Sequence, residues 1–190
     1  MHLKTGIIKQ LSGFSWLTLG LAVGLWVCAA GQRGVPAAGG IGNFGQVNER
    51  LYRGAQPDAS GLRRLKRLGV GSIINLRMTN EVWKGEAAEA RANGMAYTNV
   101  PLSGIHRPGE EQVRKILGLI ERLPPPVFIH CKRGCDRTGT IIACYRIEHD
   151  QWSAEAALQE ARRYGMSILG RGMRKFVIGF AKSQAQGRGR

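Results

Sequence analysis

The most reactive grouping in this sequence is the run His130-Cys131-Lys132-Arg133-Gly134-Cys135-Asp136-Arg137-Thr138-Gly139. The apolar stretch Pro126 to Ile129 leads into it and a helical pattern follows, so the order is strand, tight loop, helix. A loop that opens onto a helix N-terminus turns several free backbone N–H groups toward one point. The helix dipole adds positive potential there, and a phosphate dianion fits that field. The same field favours thiolate over thiol at the loop's start, which makes Cys131 the candidate nucleophile. Arg137 follows six residues later. A curled loop brings its planar guanidinium round to the same phosphate, where it can hold two oxygens at once. Thr138 places a hydroxyl where it could donate to the sulfur and help it leave in a second step. Lys132, Arg133, Gly134, Cys135 and Gly139 complete the expected anion-binding loop, and His130 is expected to hydrogen-bond its backbone.

Two features of the loop admit more than one reading. Lys132 and Arg133 either select a substrate carrying more charge than one phosphate, or are solvated loop charges. Cys135, four residues after Cys131, could form a disulfide with it after oxidation and so protect it reversibly. A metal site built on His130, Cys131 and Cys135 has little behind it, because C-x3-C without a second pair of ligands is a weak zinc signal. No cofactor is implied.

The formal charge of +15 and pI near 10.6 attract polyanions of any kind. No zinc-finger spacing or aromatic-laced RNA-binding pattern accompanies them, so the charge does not point to nucleic acid as the partner. Four cysteines in 190 residues are too few for a disulfide scaffold, and the fold must rest on a packed core.

Leu11 to Gly31 carries no charge and follows Lys4 and Lys9. It is long enough to span a bilayer as one helix, with the leading lysines favouring a cytoplasmic N-terminus. A cleaved signal peptide is the equal alternative, since Ala29 and Ala30 offer small residues at a cleavage site. With the N-terminus cytoplasmic, or after cleavage, the remainder is expected to face outward, anchored or exported; an anchor inserted the other way would leave it in the cytoplasm with signalling phosphoproteins as substrates. The division expected is therefore residues 1–31 as anchor or signal, 32–42 as a Gly/Ala/Pro-rich linker, 43–183 as one catalytic domain, and 184–190 as a basic tail.

Within that domain, short apolar runs alternate with helical periodicity, which predicts an α/β fold. The expected elements are an opening strand over Asn48 to Arg53, a helix over Ser60 to Leu68, a buried strand over Gly71 to Leu76, and a helix over Asn80 to Asn93 capped by Asn80. A strand over Ala96 to Val100 and a helix over Glu110 to Leu123, stopped by Pro124-Pro125-Pro126, come next. A strand over Pro126 to Cys131 then feeds the reactive loop, and helices over Thr138 to His149, Ser153 to Tyr164 and Arg171 to Ser183 complete the chain.

The segment His130 to Gly139 matches the Cys-x5-Arg signature of the protein tyrosine phosphatase superfamily and resembles its dual-specificity branch, bacterial members above all. The resemblance extends to Leu51-Tyr52-Arg53-Gly54-Ala55-Gln56-Pro57, Ile73-Ile74-Asn75-Leu76-Arg77 and Val100-Pro101-Leu102-Ser103. It implies a mainly parallel sheet of four or five strands with helices on both faces, a phosphocysteine intermediate, and no metal. The family also places a catalytic Asp on a separate loop some thirty residues before the Cys. Here that region runs from Pro101 to Glu111 without an Asp. A general acid typically supplies about 10²–10⁴-fold in rate, so a substitute is needed. Asp136 is preferred, as in the myotubularin-like lipid phosphatases that its place in the loop resembles, although an Asp there can equally be a helix cap. His106 and Glu110 are the alternatives. The resemblance implies phosphoprotein substrates first. Phosphoinositides or inositol phosphates come second, through the likeness of the N-terminal flank to plant and fungal atypical dual-specificity phosphatases. An inactive phosphate-binding or redox-sensing module is the remaining reading.

Overall fold

The computed structural model describes residues 39–104, 106–167 and 171–188. The chain divides into two units, Met1–Ala30 and Gly31–Arg190. The expected anchor or signal, and the linker as far as residue 38, lie outside the described residues. Among the described residues no helix is long and apolar enough to cross a membrane.

Among the described residues five strands form one sheet in the order β1-β2-β5-β3-β4: β1 (Gly45–Asn48), β2 (Leu51–Ala55), β3 (Ser72–Asn75), β4 (Ala96–Asn99) and β5 (Val127–Cys131). Only the β1–β2 pair is antiparallel. The expected strand from Asn48 to Arg53 is broken because Asn48 makes the turn: its Oδ1 accepts the Arg50 N–H at 3.0 Å, reversing the chain between β1 and β2. Strands β3 and β5 are buried along their whole lengths, as expected of central parallel strands covered on both faces.

Side chains alternate between the two faces. Ile73 and Phe128 point into a smaller core with Leu62, Leu65, Ala90 and Met95, under helices α1 (Ala59–Arg67) and α2 (Glu86–Ala92). Ile74 and Ile129 point into the larger core under α3 (Glu110–Arg122), α4 (Asp136–Glu148), α5 (Ala154–Arg163) and α6 (Arg171–Arg188). Helix α4 is buried nearly all round because the other helices enclose it, and each of its fully buried isoleucines contributes about 1.5–3 kcal/mol. Asp58 caps α1 by accepting the Gly61 N–H at 2.8 Å, and Ser153 caps α5 through the Ala156 N–H at 3.2 Å.

Three expected helices differ in extent. The helix read over Asn80 to Asn93 is a 3-10 turn (Thr79–Glu81), a break with Val82 extended, and then α2, so Asn80 caps nothing. The cause is tertiary, since Glu81 is drawn to Arg137 and Glu86 into the interior. Helix α4 starts at Asp136 rather than Thr138, and α6 continues through Arg188 rather than ending at Ser183.

Candidate active site

Strand β5 carries Cys131 to the C-terminal edge of the sheet, with Ala55 of β2 opposite Cys131 and Asn75 of β3 opposite His130. Open parallel sheets bind ligands at this edge, where connections leave to opposite sides. Residues 131–137 then curl over β2. Gly134 has φ +70°, and a Cβ there would stand 2.5 Å from the carbonyl carbon of Gly54 and 2.7 Å from the Ala55 nitrogen. Only glycine satisfies both the backbone conformation and the contact.

The loop carbonyls face the protein body. Lys132 O accepts the Gln56 N–H at 3.3 Å. Arg133 O accepts from Asn43 Nδ2 and from Cys135 Sγ, each at 3.3 Å, and Gly134 O accepts from Arg53 Nη2 at 3.1 Å. Cys135 O accepts the Gly139 N–H at 2.8 Å, the first bond of α4, so the N–H groups of Asp136, Arg137 and Thr138 precede the helical ladder.

Arg137 is 7% exposed and enters the site from the first turn of α4. Its Nη1 donates to Glu81 Oε2 at 2.8 Å and to Leu102 O at 3.3 Å. Nε and Nη2 are bonded to no other described residue, and Gly104 covers the guanidinium closely enough that a Cβ there would lie 3.9 Å from Nε and Cζ. The Arg137 bond holds the Glu81 carboxyl below the usual glutamate range.

Cys131, Lys132, Arg133, Asp136, Arg137 and Gly104 line one pocket of about 240 Å³. Asp136 is the first residue of α4 and not its cap, a place taken by Cys135. Its Oδ1 accepts the Ser167 N–H at 2.7 Å and its Oδ2 lies 3.5 Å from Arg133 Nη2. The other two acid candidates stand apart from these lining residues. His106 is exposed, its N–H bonded to Ser103 Oγ at 3.0 Å, and Glu110 is paired to Arg114 Nη2 at 2.7 Å. Thr138 is fully buried and its hydroxyl makes no hydrogen bond, so the expected donation to the sulfur is not made in this structure. Cys135 is buried behind the loop, where burial and the neighbouring Cys131 push its thiol pKa up. Gly139 lets α4 approach α5, its missing Cβ facing Met166 and Ala161 at 3.1 and 3.5 Å. Among the described residues no group of three or more His, Cys, Asp or Glu side chains could hold a metal ion.

His130 does not bond the loop as expected. It is fully buried with Nε2 2.9 Å from Glu86 Oε1, though without hydrogen-bond geometry. Glu86, also fully buried, accepts from Gln56 Nε2 and Asn75 Nδ2, each at 2.7 Å, and from the Tyr97 hydroxyl at 3.1 Å. Burial pushes its pKa up, but His130, Gln56 and Tyr97 outweigh that and hold it below the usual value. Arg53 lies under the loop, fully buried, its guanidinium 3.8 Å from the centre of the Tyr164 ring, and burial pulls its pKa down to about 10.

Sequence reasoning missed Glu81, Glu86, Gly104, Asn43 and Arg53. An arginine inside the apolar strand Leu51 to Ala55 was a usable signal for the last. Glu81 had none, because it reaches Arg137 only through the fold.

Comparison with known proteins places the chain in a family. A family model described as DSP-PTPase phosphatase fused to NAD+ kinase matches residues 38–177. The dual specificity protein phosphatase TpbA of Pseudomonas aeruginosa is 30% identical over 65% of this chain and 55% of its own. Its crystal structure superposes with a TM-score of 0.63 at 26% identity, covering 75% of this chain and 91% of that one. The phosphatidylglycerophosphate phosphatase PTPMT2 of Arabidopsis thaliana is 29% identical over 74% of this chain and 63% of its own. The core catalytic domain of the PP-IP phosphatase SIW14 from S. cerevisiae gives a TM-score of 0.65 at 25% identity, over 76% of this chain and 88% of that one. The chain thus spans less than two thirds of the length of these curated relatives. With well over half of the chain matched and the Cys-x5-Arg loop at the centre of its sheet, this protein belongs to the DSP-PTPase phosphatase family.

Proposed function

We propose that this chain hydrolyses phosphate monoesters through a phosphocysteine intermediate, acting as a protein tyrosine or dual-specificity phosphatase. The observation that carries this is the convergence of Cys131, Arg137, whose Nε and Nη2 bond no other described residue, and the start of α4 on one pocket of about 240 Å³. In the first step the Cys131 thiolate attacks phosphorus. The S–P bond forms as the ester P–O bond breaks, and the leaving oxygen takes a proton from Asp136. In the second step water attacks phosphorus, the S–P electron pair returns to sulfur, and the Asp136 carboxylate accepts the proton from water. Arg137 and the loop N–H groups hold the equatorial oxygens throughout, stabilising the charge that spreads onto them. Asp136 is assigned as the acid because it alone of the three candidates lines the pocket.

A second reading, hydrolysis of phosphoinositides or inositol phosphates, draws on Lys132 and Arg133, which put two further cations at the pocket. The names of PTPMT2 and SIW14 point the same way. Phosphate release by the full chain from phosphotyrosine and phosphoserine peptides, phosphoinositides and inositol phosphates tests both, with Cys131→Ser alongside. Release abolished in Cys131→Ser and strongest on the peptides is expected. Strongest release from inositol phosphates selects the second reading, and a folded protein that binds phosphate but releases none from any ester overturns both. Export or membrane anchoring through residues 11–31 is proposed with it. Fractionation of cells expressing the full chain, with protease added outside, tests this, and an intact soluble cytoplasmic product overturns it.

A further inference from the structure

The loop's anion cradle is set from behind, and the residues that set it are outside the Cys-x5-Arg segment. Residues 131–137 contain no cis peptide, so each carbonyl points opposite to the N–H of the next residue. Lys132 O is turned to the body by the Gln56 N–H, Arg133 O by Asn43 Nδ2, and Gly134 O by Arg53 Nη2. The N–H groups of Arg133, Gly134 and Cys135 must then face the other way, toward the pocket that Cys131 and Arg137 line. Three consecutive donors are thereby added to those at the start of α4.

Both side chains are built for this position. Asn43 adopts φ +53°, is 4% exposed, and shares its amide among Arg133 O, Cys135 Sγ at 3.5 Å and Tyr164 O at 2.8 Å. It ties the loop to the end of α5. Arg53 spends one nitrogen on Gly134 O, while its buried Nε and Nη1 have no hydrogen-bond partner. Among the described residues no carboxylate lies within ion-pair distance of it. A buried cation with donors to spare is costly unless an anion compensates it. Glu160 acts on Arg53 only from beyond ion-pair distance, and the negative charge that a substrate brings lies on the other side of the loop, on the bound phosphate.

We propose that Asn43 and Arg53 are positioning residues that turn the Gly134 and Cys135 N–H groups, one each, onto the substrate phosphate, with Arg53 also supplying charge from behind the loop. This rests on the phosphatase reading for its substrate, but phosphate binding alone tests it. In full-length, 15N-labelled Cys131→Ser protein titrated with inorganic phosphate, the amides of Arg133, Gly134 and Cys135 should move downfield. Arg53→Met should remove the Cys135 shift and weaken phosphate binding about 10- to 100-fold, the range for hydrogen bonds to charged groups. Arg53→Lys, whose ammonium can still donate to Gly134 O, should recover the Cys135 shift. Asn43→Gly, which tolerates the positive φ, should diminish the Gly134 shift and spare that of Cys135.

Unchanged Cys135 shift and phosphate affinity in folded Arg53→Met would overturn the inference. So would equal loss of all three shifts in either variant, the mark of a merely structural role, and so would their absence from Cys131→Ser itself. If Cys131→Ser shows the expected pattern while the wild type hydrolyses no ester, the positioning inference stands and the phosphatase reading falls.

Discussion

Replacing Gly134 with alanine isolates how far the site depends on the loop's seat on β2. The new Cβ faces two penalties. Holding a non-glycine residue at φ +70° costs about 1–2 kcal/mol. The contact at 2.5 Å with the Gly54 carbonyl carbon falls short of a comfortable carbon–carbon separation by about 1 Å. Overpacking of this kind costs a further 1–3 kcal/mol or so, for a total near 2–5 kcal/mol if the loop stays in place. Strand β2 is paired on both sides, to β1 and β5, so the loop is the part that gives way. A displacement near 1 Å of groups that must meet one phosphate costs about 10²-fold in rate. Gly69→Ala is the control, since Gly69 has φ +76° and nothing within 4 Å of its missing Cβ. It should cost about 1 kcal/mol through the backbone alone and leave kcat/KM unchanged. Urea unfolding gives both stabilities, and initial rates on an aryl phosphate give both activities. Equal destabilisation by the two variants, with activity intact in both, would refute the reasoning.

Asp136→Asn should lower kcat about 10²–10⁴-fold on alkyl phosphates and much less on esters of acidic phenols, which leave without a proton; equal losses on both would remove it as the acid. Glu81→Ala should lower kcat/KM about two- to fivefold with little change in the unfolding midpoint, since the Glu81 end of the Arg137 pair is open to solvent; a gain in activity would mean that Glu81 competes with the phosphate. Glu86 has its folded pKa below the unfolded value, so its stabilisation is complete above that unfolded value, about 4.3, and is lost as pH falls through the folded one. The thermal midpoint of Glu86→Gln should therefore be lower at pH 7 and decline less on acidification than that of the wild type; parallel declines would count against this assignment.

The parts of the site that lie within one short segment were legible, because strand, loop and helix follow one another and their chemistry depends on local order. Cys131, Arg137 and Asp136 fall at the pocket for that reason. The sheet and both helix layers were legible too, since Ile73 and Ile74, or Phe128 and Ile129, announce a strand covered on two faces. What failed was whatever depends on distant partners. The helical periodicity from Asn80 to Asn93 is real in the sequence, yet Glu81 and Glu86 find better partners in Arg137 and in the Asn75, Tyr97 and His130 cluster, and the helix breaks between them. His130 was read through its sequence neighbours and belongs to that cluster instead. Arg53 carries one local signal, a cation inside an apolar strand that must find a buried partner, but nothing local says that the partner is a loop about eighty residues later.

Strand β5 is the middle strand of five, and this has a consequence for how the protein fails. The reactive loop begins on the strand flanked on both sides by parallel neighbours and continues into the most enclosed helix. Amide protons on such segments exchange with solvent only when the whole domain opens, whereas the outer β1 and β4 can fray on their own. Catalytic competence should therefore vanish together with the last protected amides, in one step. Fraying of β1 or β4 leaves that strand and helix in place, whereas a form that has lost β5 or α4 yet still turns over substrate has no place in this architecture.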